Sequence, residues 1–385
     1  MIRDFQQGSL RWGGILRVAS CLLALGFLLP ACSGGGGGGG GGSTGGGTGA
    51  ERIAFSGRAM VVNDAMGGFT QPAAMSGISV TVSTDIDANG SVDSTERASA
   101  ATDSEGNYTI SAPVAVGTRT VVSFEEEGYA TQLKAIDINS LTPVTGVDAT
   151  LSQMRTLTET GDGWQDNGNT VRVSDIDIAS GTARAFNPVT ESDRFPGEFA
   201  DDQGNMLLSG VFAAFDLRDG NGRAVRAVSA SNPATVRMKI PRDTWGVLKD
   251  LDASTVNVID VPMYYFDEET GEWVREGAGY LEDGEGNTIT AAQLATITSA
   301  PATFTGTVYA VSEATHFSYW NVDYPVETHA CVSGIITDAD GDPVAGASVS
   351  IAGLSYTGNS ATAITDAAGR FCADVMRNEA VGEDL

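Results

Sequence analysis

A twelve-residue segment, residues 85–96, carries the densest set of possible metal ligands in the 385-residue chain. Its oxygen-bearing side chains belong to Asp85, Asp87, Asn89, Ser91, Asp93 and Glu96. Gly90 stands at the sixth position, where the absence of a side chain permits a sharp turn. Carboxylate and carbonyl oxygens around such a turn are the ligands that Ca²⁺ prefers. The segment therefore predicts a calcium site.

The spacing of this segment resembles the calcium loop of EF-hands at every ligand position. By that resemblance Ser91 offers its carbonyl oxygen, Asp93 binds through a water molecule and Glu96 binds through both carboxylate oxygens. The flanking residues 78–82 and 98–101 read as strands, whereas an EF-hand has helices there. We therefore expect a structural Ca²⁺ site between two strands, with a dissociation constant on the order of 10⁻⁴ to 10⁻³ M. The alternative is an acidic hairpin that binds no metal.

Sequence patterns that indicate enzymes are missing from this chain. Its two histidines, His316 and His329, have none of the spacings of zinc peptidases, and there is no Gly-x-Ser-x-Gly nucleophile motif. The glycine run 34–42 lacks the lysine and the flanking strand of a phosphate loop. A Ser-His-Asp triad built from distant residues leaves no local pattern. We interpret His316, which stands among aromatic residues, as a packing or capping side chain, and we expect no catalytic activity.

The positions of four tryptophans in the acidic body bear on an alternative function, binding of carbohydrate. Trp164, Trp245, Trp273 and Trp320 are expected in the core or in hairpins. If two or more of them were exposed on one face, they could stack on sugars, and the protein would be a carbohydrate-binding module. A further alternative is the accessory region of an enzyme whose catalytic part lies outside this sequence.

Residues 1–32 predict export and lipid attachment. Arginines precede an uncharged apolar run, 18–29, that is too short to span a bilayer and is typical of a signal peptide. The run leads into Leu29-Pro30-Ala31-Cys32, which resembles the lipobox of bacterial lipoproteins. The resemblance implies that Cys32 is acylated and anchors the protein in a membrane. Ser33 then implies sorting to the outer membrane, on its surface or its periplasmic face; the alternative is an ordinary cleaved signal.

The segment after the lipobox, residues 33–50, is glycine-rich and predicts a disordered tether. The chain has a formal net charge of -27, which repels nucleic acid and anionic lipid headgroups. Because Cys21 would leave with the signal peptide, Cys331 and Cys372 remain, and an oxidising compartment favours a disulfide between them. A metal or redox pair is the alternative.

The body of the chain predicts an all-β protein. Apolar and polar residues alternate in short stretches such as 78–82, which turn residues separate. Short helical turns are expected only at 245–251 and 291–295. We expect tandem antiparallel β-sandwich modules, with a first sandwich at 51–150, a central β-rich domain at 151–327 and a second sandwich at 328–385.

The two end modules share a sequence pattern. Gly77 and Gly346 each begin Gly-x-x-Val-x-Val/Ile, and Thr102 and Thr365 each begin Thr-Asp-x-x-Gly-x-aromatic. In the second element aspartate can bond backbone amides and glycine supplies the positive φ of a hairpin. The pattern resembles carboxypeptidase regulatory-like domains, which implies transthyretin-like sandwiches with structural, spacer or binding roles. The second copy stops without a clear final strand, so we expect an incomplete module or a longer parent protein.

The central region carries a second resemblance. Residues 263–273 read as a strand, a turn and a strand with the pattern Tyr-Phe-Asp-x-x-Thr-Gly-x-Trp, and residues 316–321 precede a cysteine-bearing module. This arrangement is similar to the ectodomains of cartilage intermediate layer proteins, which implies a surface or matrix-like role. The sequence therefore predicts a cell-envelope lipoprotein that acts as a scaffold or as a binding or adhesion module for an unknown protein or glycan.

Overall fold

The computed structural model describes residues 50–63, 71–250, 259–300, 303–326, 329–354, 363–377 and 381–384. Strands dominate these ranges, and they contain one α-helix, so the predicted all-β class is confirmed. The predicted signal peptide, Cys32 and nearly all of the tether fall outside the described residues. Within the described ranges no helix has the length and apolar character needed to cross a membrane.

The first module is a sandwich of two four-stranded sheets. Its strands are β1 (Glu51–Val62), β2 (Ala73–Ala74), β3 (Ser79–Thr84), β4 (Arg97–Ala101), β5 (Asn107–Val114), β6 (Arg119–Glu125), β7 (Gln132–Asp137) and β8 (Ala149–Ser152). One sheet has the order β2-β1-β5 with β8 parallel to β1, and the other has the order β4-β3-β6-β7. Alternate residues of β3, such as Val80 and Val82, face a core that also holds Phe55 and Phe124. The alternation of apolar and polar residues in the sequence thus reflects the buried and the exposed face of each strand.

The central module closes into a ten-stranded barrel, a closure that the sequence did not predict. Its elements are β9 (Arg155–Thr160), β10 (Gly163–Asp166), β11 (Val171–Ser174), β12 (Ser180–Phe186), β13 (Met206–Arg218), β14 (Ala234–Ile240), β15 (Val261–Asp267), β16 (Glu272–Asp283), α1 (Ala291–Ser299), β17 (Val308–Ala314) and β18 (Tyr319–Val326). The strand order is β10-β11-β14-β17-β16-β15-β18-β13-β12-β9. Helix α1 begins with a capping box between Thr290 and Gln293. The other predicted helical turn is a 3₁₀ turn, Val247–Asp250.

The third module consists of two small sheets. Its strands are β19 (His329–Ile335), β20 (Ser348–Gly353), β21 (Ala363–Ile364), β22 (Arg370–Met376) and β23 (Val381–Asp384). β19 pairs with β22, and β20 lies between β21 and β23. Val349, Ile351 and Phe371 belong to the small core of this module.

The repeat between the end modules extends from sequence to hydrogen bonding. In the first module, Gly77 N donates to Thr102 O at 3.0 Å, and Thr102 Oγ1 donates to Met75 O at 2.7 Å. In the third module, Gly346 N donates to Thr365 O at 3.0 Å, and Thr365 Oγ1 donates to a backbone carbonyl at 2.7 Å. The glycine and threonine that the two end modules share therefore form the same hydrogen bonds in both modules.

Asp-x-x-Gly hairpins recur through all three modules. In each, Asp Oδ1 accepts the amide hydrogens of the second and fourth residues that follow, and the glycine has positive φ; the aspartates are Asp103, Asp201, Asp219, Asp283, Asp338 and Asp366. These backbone hydrogen bonds lower the pKa of Asp103 and Asp366. Six of the 49 acidic residues thus begin turns of the same kind.

Candidate functional site

The predicted calcium segment lies between β3 and β4 of the first sandwich, as its flanking sequence predicts. The two strands pair up to Ser83 and Arg97, so the ladder of the sheet holds both ends of the segment. Ala88 and Gly90 have φ values of 54° and 84°, which coil the backbone between them. The segment is therefore a tightly turned loop on a rigid base.

The loop backbone converges on two of the predicted ligands. The carboxylate of Glu96 is in a residue only 6% exposed and accepts from Ile86 N at 2.8 Å and Asp93 N at 3.0 Å. Asp85 accepts from Asn89 N at 3.1 Å and from Gly90 N at 2.8 Å. These amides hold both carboxylates in place.

Three predicted ligands come together. One carboxylate oxygen from each of Asp85, Asp87 and Glu96 lies within 4.8 Å of the other two. Like charges at this separation repel one another, and a divalent cation would remove that repulsion. The group therefore has the composition and spacing that suit a hard cation such as Ca²⁺.

Among the other three predicted ligands, Asp93 is the one carboxylate that does not belong to this group. Asn89 Oδ1 accepts from the backbone amide of Ser91 at 2.9 Å and from Ser91 Oγ at 3.1 Å, so these two side chains are tied to each other. Asp93 Oδ1 accepts from the hydroxyl of Thr95 at 2.7 Å and from its backbone amide, and these bonds lower the pKa of Asp93. Thr95 is a partner that the ligand pattern alone did not reveal.

Cys331 and Cys372 form the predicted disulfide. Their Cα atoms lie 5.9 Å apart on the neighbouring strands β19 and β22. This distance lies in the usual range for a disulfide. The bond joins the two strands of the smaller sheet in the third module.

His316 packs and bonds as a structural residue. Its Nδ1 lies 2.6 Å from Glu276 Oε2, and its ring stacks on Tyr265 with centroids 4.2 Å apart. Its carbonyl oxygen accepts from the indole of Trp320 at 2.6 Å. Glu276 is distant in sequence, and no local pattern marked it as the partner.

The tryptophans do not form an exposed sugar-binding face in the part of the chain that the structure describes. Trp245, Trp273 and Trp320 are buried, and Trp164 is half-buried. The indole of Trp273 donates to Pro196 O at 3.1 Å. The condition that would favour a carbohydrate-binding module is therefore not met.

The first sandwich and the barrel share an apolar core that the sequence did not reveal. It contains Val121, Ala130, Leu133, Met154, Phe186, Phe195, Phe199, Leu207, Phe212, Ala214, Tyr264, Phe266, Trp273 and Tyr319. Val121 and Leu133 come from β6 and β7 of the sandwich, whereas most of the aromatic side chains come from the barrel. At the edge of this core the guanidinium of Arg119 lies 2.6 Å from Glu198 and 3.0 Å from Asp137. Burial raises the pKa of Glu198, and the positive charge of Arg119 opposes that rise.

The first and third modules also contact each other directly. Thr145 N donates to Gly346 O at 2.8 Å, and Ser348 Oγ donates to Gly146 O at 2.7 Å. A Cβ added to Gly346 would lie 1.8 Å from Pro143 O, so a residue with a side chain does not fit at this contact. Gly346, the glycine of the repeat in the third module, thus also serves the docking of that module on the first, whereas Gly77 has nothing within 4 Å of an added Cβ.

Comparisons with known proteins do not show a family for this chain. No protein-family model and no curated protein matches the chain. Among solved structures, BcpA, the major pilin subunit of Bacillus cereus, shares 9% identity, with 84% of this chain and 85% of that chain covered and a TM-score of 0.17. The full-length major pilin SpaD from Corynebacterium diphtheriae shares 10% identity over 85% and 82%, with a TM-score of 0.18. Likeness at these TM-scores carries no inference.

Proposed function

We propose that this chain is a non-catalytic lipoprotein of the cell envelope, in which the β modules form a rigid scaffold or binding module at the end of a tether. This cell-envelope location is supported by the signal sequence, by Cys32 and by the glycine-rich segment 33–50. The acidic charge supports a partner other than nucleic acid. The carboxypeptidase regulatory-like pattern at both ends supports a structural or binding role.

The observation that carries the scaffold proposal is the apolar core between the sandwich and the barrel. Interfaces between independently moving domains are usually polar and small, whereas a large apolar interface holds domains together. Here Leu133 from the sandwich is buried together with Phe199 and Trp273 from the barrel region. The ion pair between Arg119 and Glu198 crosses the same boundary. Modules joined in this way keep a fixed orientation relative to each other, which suits a scaffold.

We further propose that the loop 85–96 binds Ca²⁺ and that the ion stabilises the first sandwich. The three grouped carboxylates and the inward-facing amides support this role. The ion would neutralise the repulsion between the carboxylates and join the ends of β3 and β4. Because strands flank the loop, its role is structural.

Isothermal titration calorimetry with CaCl₂ on the full chain tests the calcium site. We expect binding with a dissociation constant on the order of 10⁻⁴ to 10⁻³ M. Asp87→Asn, which removes one ligand charge from the loop, should weaken binding at least about tenfold. Asp340→Asn removes the same charge from an exposed hairpin in the third module and should leave affinity unchanged. No heat of binding at millimolar CaCl₂, or equal affinity in both variants, would refute the site.

Protease shaving of intact cells, with peptides from residues 50–385 read by mass spectrometry, tests the proposed location. Release from intact cells would support the outer surface and an adhesion role. Release only after the outer membrane is opened would support a periplasmic scaffold. Recovery of the chain in the cytosolic fraction would refute the lipoprotein proposal.

A further inference from the structure

Three polar side chains meet deep in the wall of the barrel, apart from the calcium loop. Ser209 on β13 is 0% exposed, and Asn321 and Asp323 on β18 are 0% and 1% exposed. Ser209 is the cross-strand partner of Asp323, and a register shift between Ser209 and Val211 breaks the regular pairing beside it. Because Asn321 and Asp323 are two residues apart on one strand, their side chains share a face.

The contacts within this triad place an alcohol, a carboxamide and a carboxyl group against one another. Ser209 Oγ donates to Asn321 Oδ1 at 2.6 Å. The Asn321 amide donates to Asp323 Oδ2. The other carboxyl oxygen of Asp323 is buried and has no hydrogen-bond partner among the described residues.

The Asp323 carboxyl is a stronger base, once ionised, than an exposed carboxylate. Burial raises its pKa well above the usual range, and the neighbouring Ser209 hydroxyl offsets part of that rise. An alcohol becomes a nucleophile when an adjacent base takes its proton. The triad therefore combines a nucleophile, a base and a carbonyl carbon in one buried site.

We propose that Ser209 and Asn321 condense into an intramolecular ester that joins β13 to β18. Asp323 takes the hydroxyl proton as Ser209 Oγ attacks Asn321 Cγ. The tetrahedral intermediate then collapses, the bond from Cγ to Nδ2 breaks, and Asp323 returns the proton to the departing nitrogen. The products are the ester and one molecule of ammonia, and Asp323 is regenerated.

Two features of the site favour this reaction over a plain hydrogen-bonded cluster. The sheet holds the reacting groups together, which replaces a bimolecular encounter with an intramolecular step. The surrounding core excludes water, which would otherwise hydrolyse the ester. The bond would lie next to the register shift in β13, where the regular hydrogen-bond ladder is interrupted.

Peptide mapping of the purified full-length chain, reduced before digestion, tests the proposal. We expect the peptides that contain Ser209 and Asn321 to appear as one branched species, lighter than their sum by one ammonia. Hydroxylamine should cleave that species and release the Ser209 peptide unchanged. Two separate linear peptides in the wild-type digest, with Asn321 intact or deamidated, would overturn the proposal whatever the variants do.

Three variants assign the roles. Ser209→Ala should yield separate peptides, and so should Asp323→Asn, which keeps the shape but removes the base. Ser152→Ala, a change at another buried serine, should retain the branched species. A branched species that persists in Ser209→Ala would show a different cross-link, and one that forms fully in Asp323→Asn would remove the base from the mechanism.

Discussion

Substitution of Gly271 by alanine should destabilise the contact between the barrel and the first sandwich. Gly271 lies in the turn between β15 and β16 with φ of 73°. A Cβ there would lie 2.7 Å from Val121 Cγ2 of the sandwich. The left-handed conformation costs about 1–2 kcal/mol for a residue with a side chain, and overpacking of the contact adds about 1–3 kcal/mol. The expected loss of unfolding free energy is therefore about 2–5 kcal/mol.

Gly277→Ala supplies the matched control because Gly277 has φ of 79° but nothing within 4 Å of an added Cβ. It should lose only the conformational part, about 1–2 kcal/mol. Chemical denaturation of both variants measures the difference, which is the cost of the contact with Val121. Val121→Ala should recover part of this difference when combined with Gly271→Ala. Equal losses in the two glycine variants, with no coupling to Val121, would refute the packing of this turn on the sandwich.

Three further outcomes are expected. Cys331→Ser should remove the bond to Cys372, lower the stability of the third module by about 4 kcal/mol on the chain-entropy estimate, and raise hydrogen exchange in β19 and β22; unchanged exchange would contradict this. Asp366→Asn should lower the unfolding midpoint of the third module at pH 7, and Asp103→Asn should lower the unfolding midpoint of the first sandwich at the same pH. Because the folded pKa of each carboxyl is lowered, its stabilisation is present above the unfolded pKa and is lost as pH falls, so each difference from wild type should shrink below about pH 4; a difference that is constant with pH would contradict the mechanism. Cys32→Ala should abolish metabolic labelling with palmitate, and labelling that persists would refute the lipobox.

Features that depend on a few neighbouring residues could be predicted from sequence. Strands followed from the alternation of apolar and polar residues, because each strand of a sandwich buries one of its two faces. The loop 85–96 could be placed between strands for the same reason, since its flanks alternate. Asp103 and Asp366 indicated their hairpins, because the aspartate and the glycine three residues later act within one turn.

The disulfide was predictable for a different reason. Removal of the signal peptide and acylation at Cys32 would leave Cys331 and Cys372 as the two thiols of the body. Their pairing could be predicted by excluding the other two cysteines and by expecting an oxidising compartment, and it required no knowledge of the geometry. The structure adds that the two residues lie on adjacent strands.

Only the tertiary structure decided which distant strands and side chains meet. Closure of the barrel joins strands from β9 to β18, and nothing in the pattern of one strand specifies its neighbour. The contact of Gly271 with Val121 and the cluster of Ser209 with Asn321 and Asp323 each join residues separated by more than a hundred positions. Sequence patterns report which face of a local element is apolar, whereas these contacts depend on the shapes of surfaces that form only when the modules pack. The sequence by itself therefore determined the strands, the turns and the position of the loop 85–96, and the packing of modules determined the shared core and the buried triad.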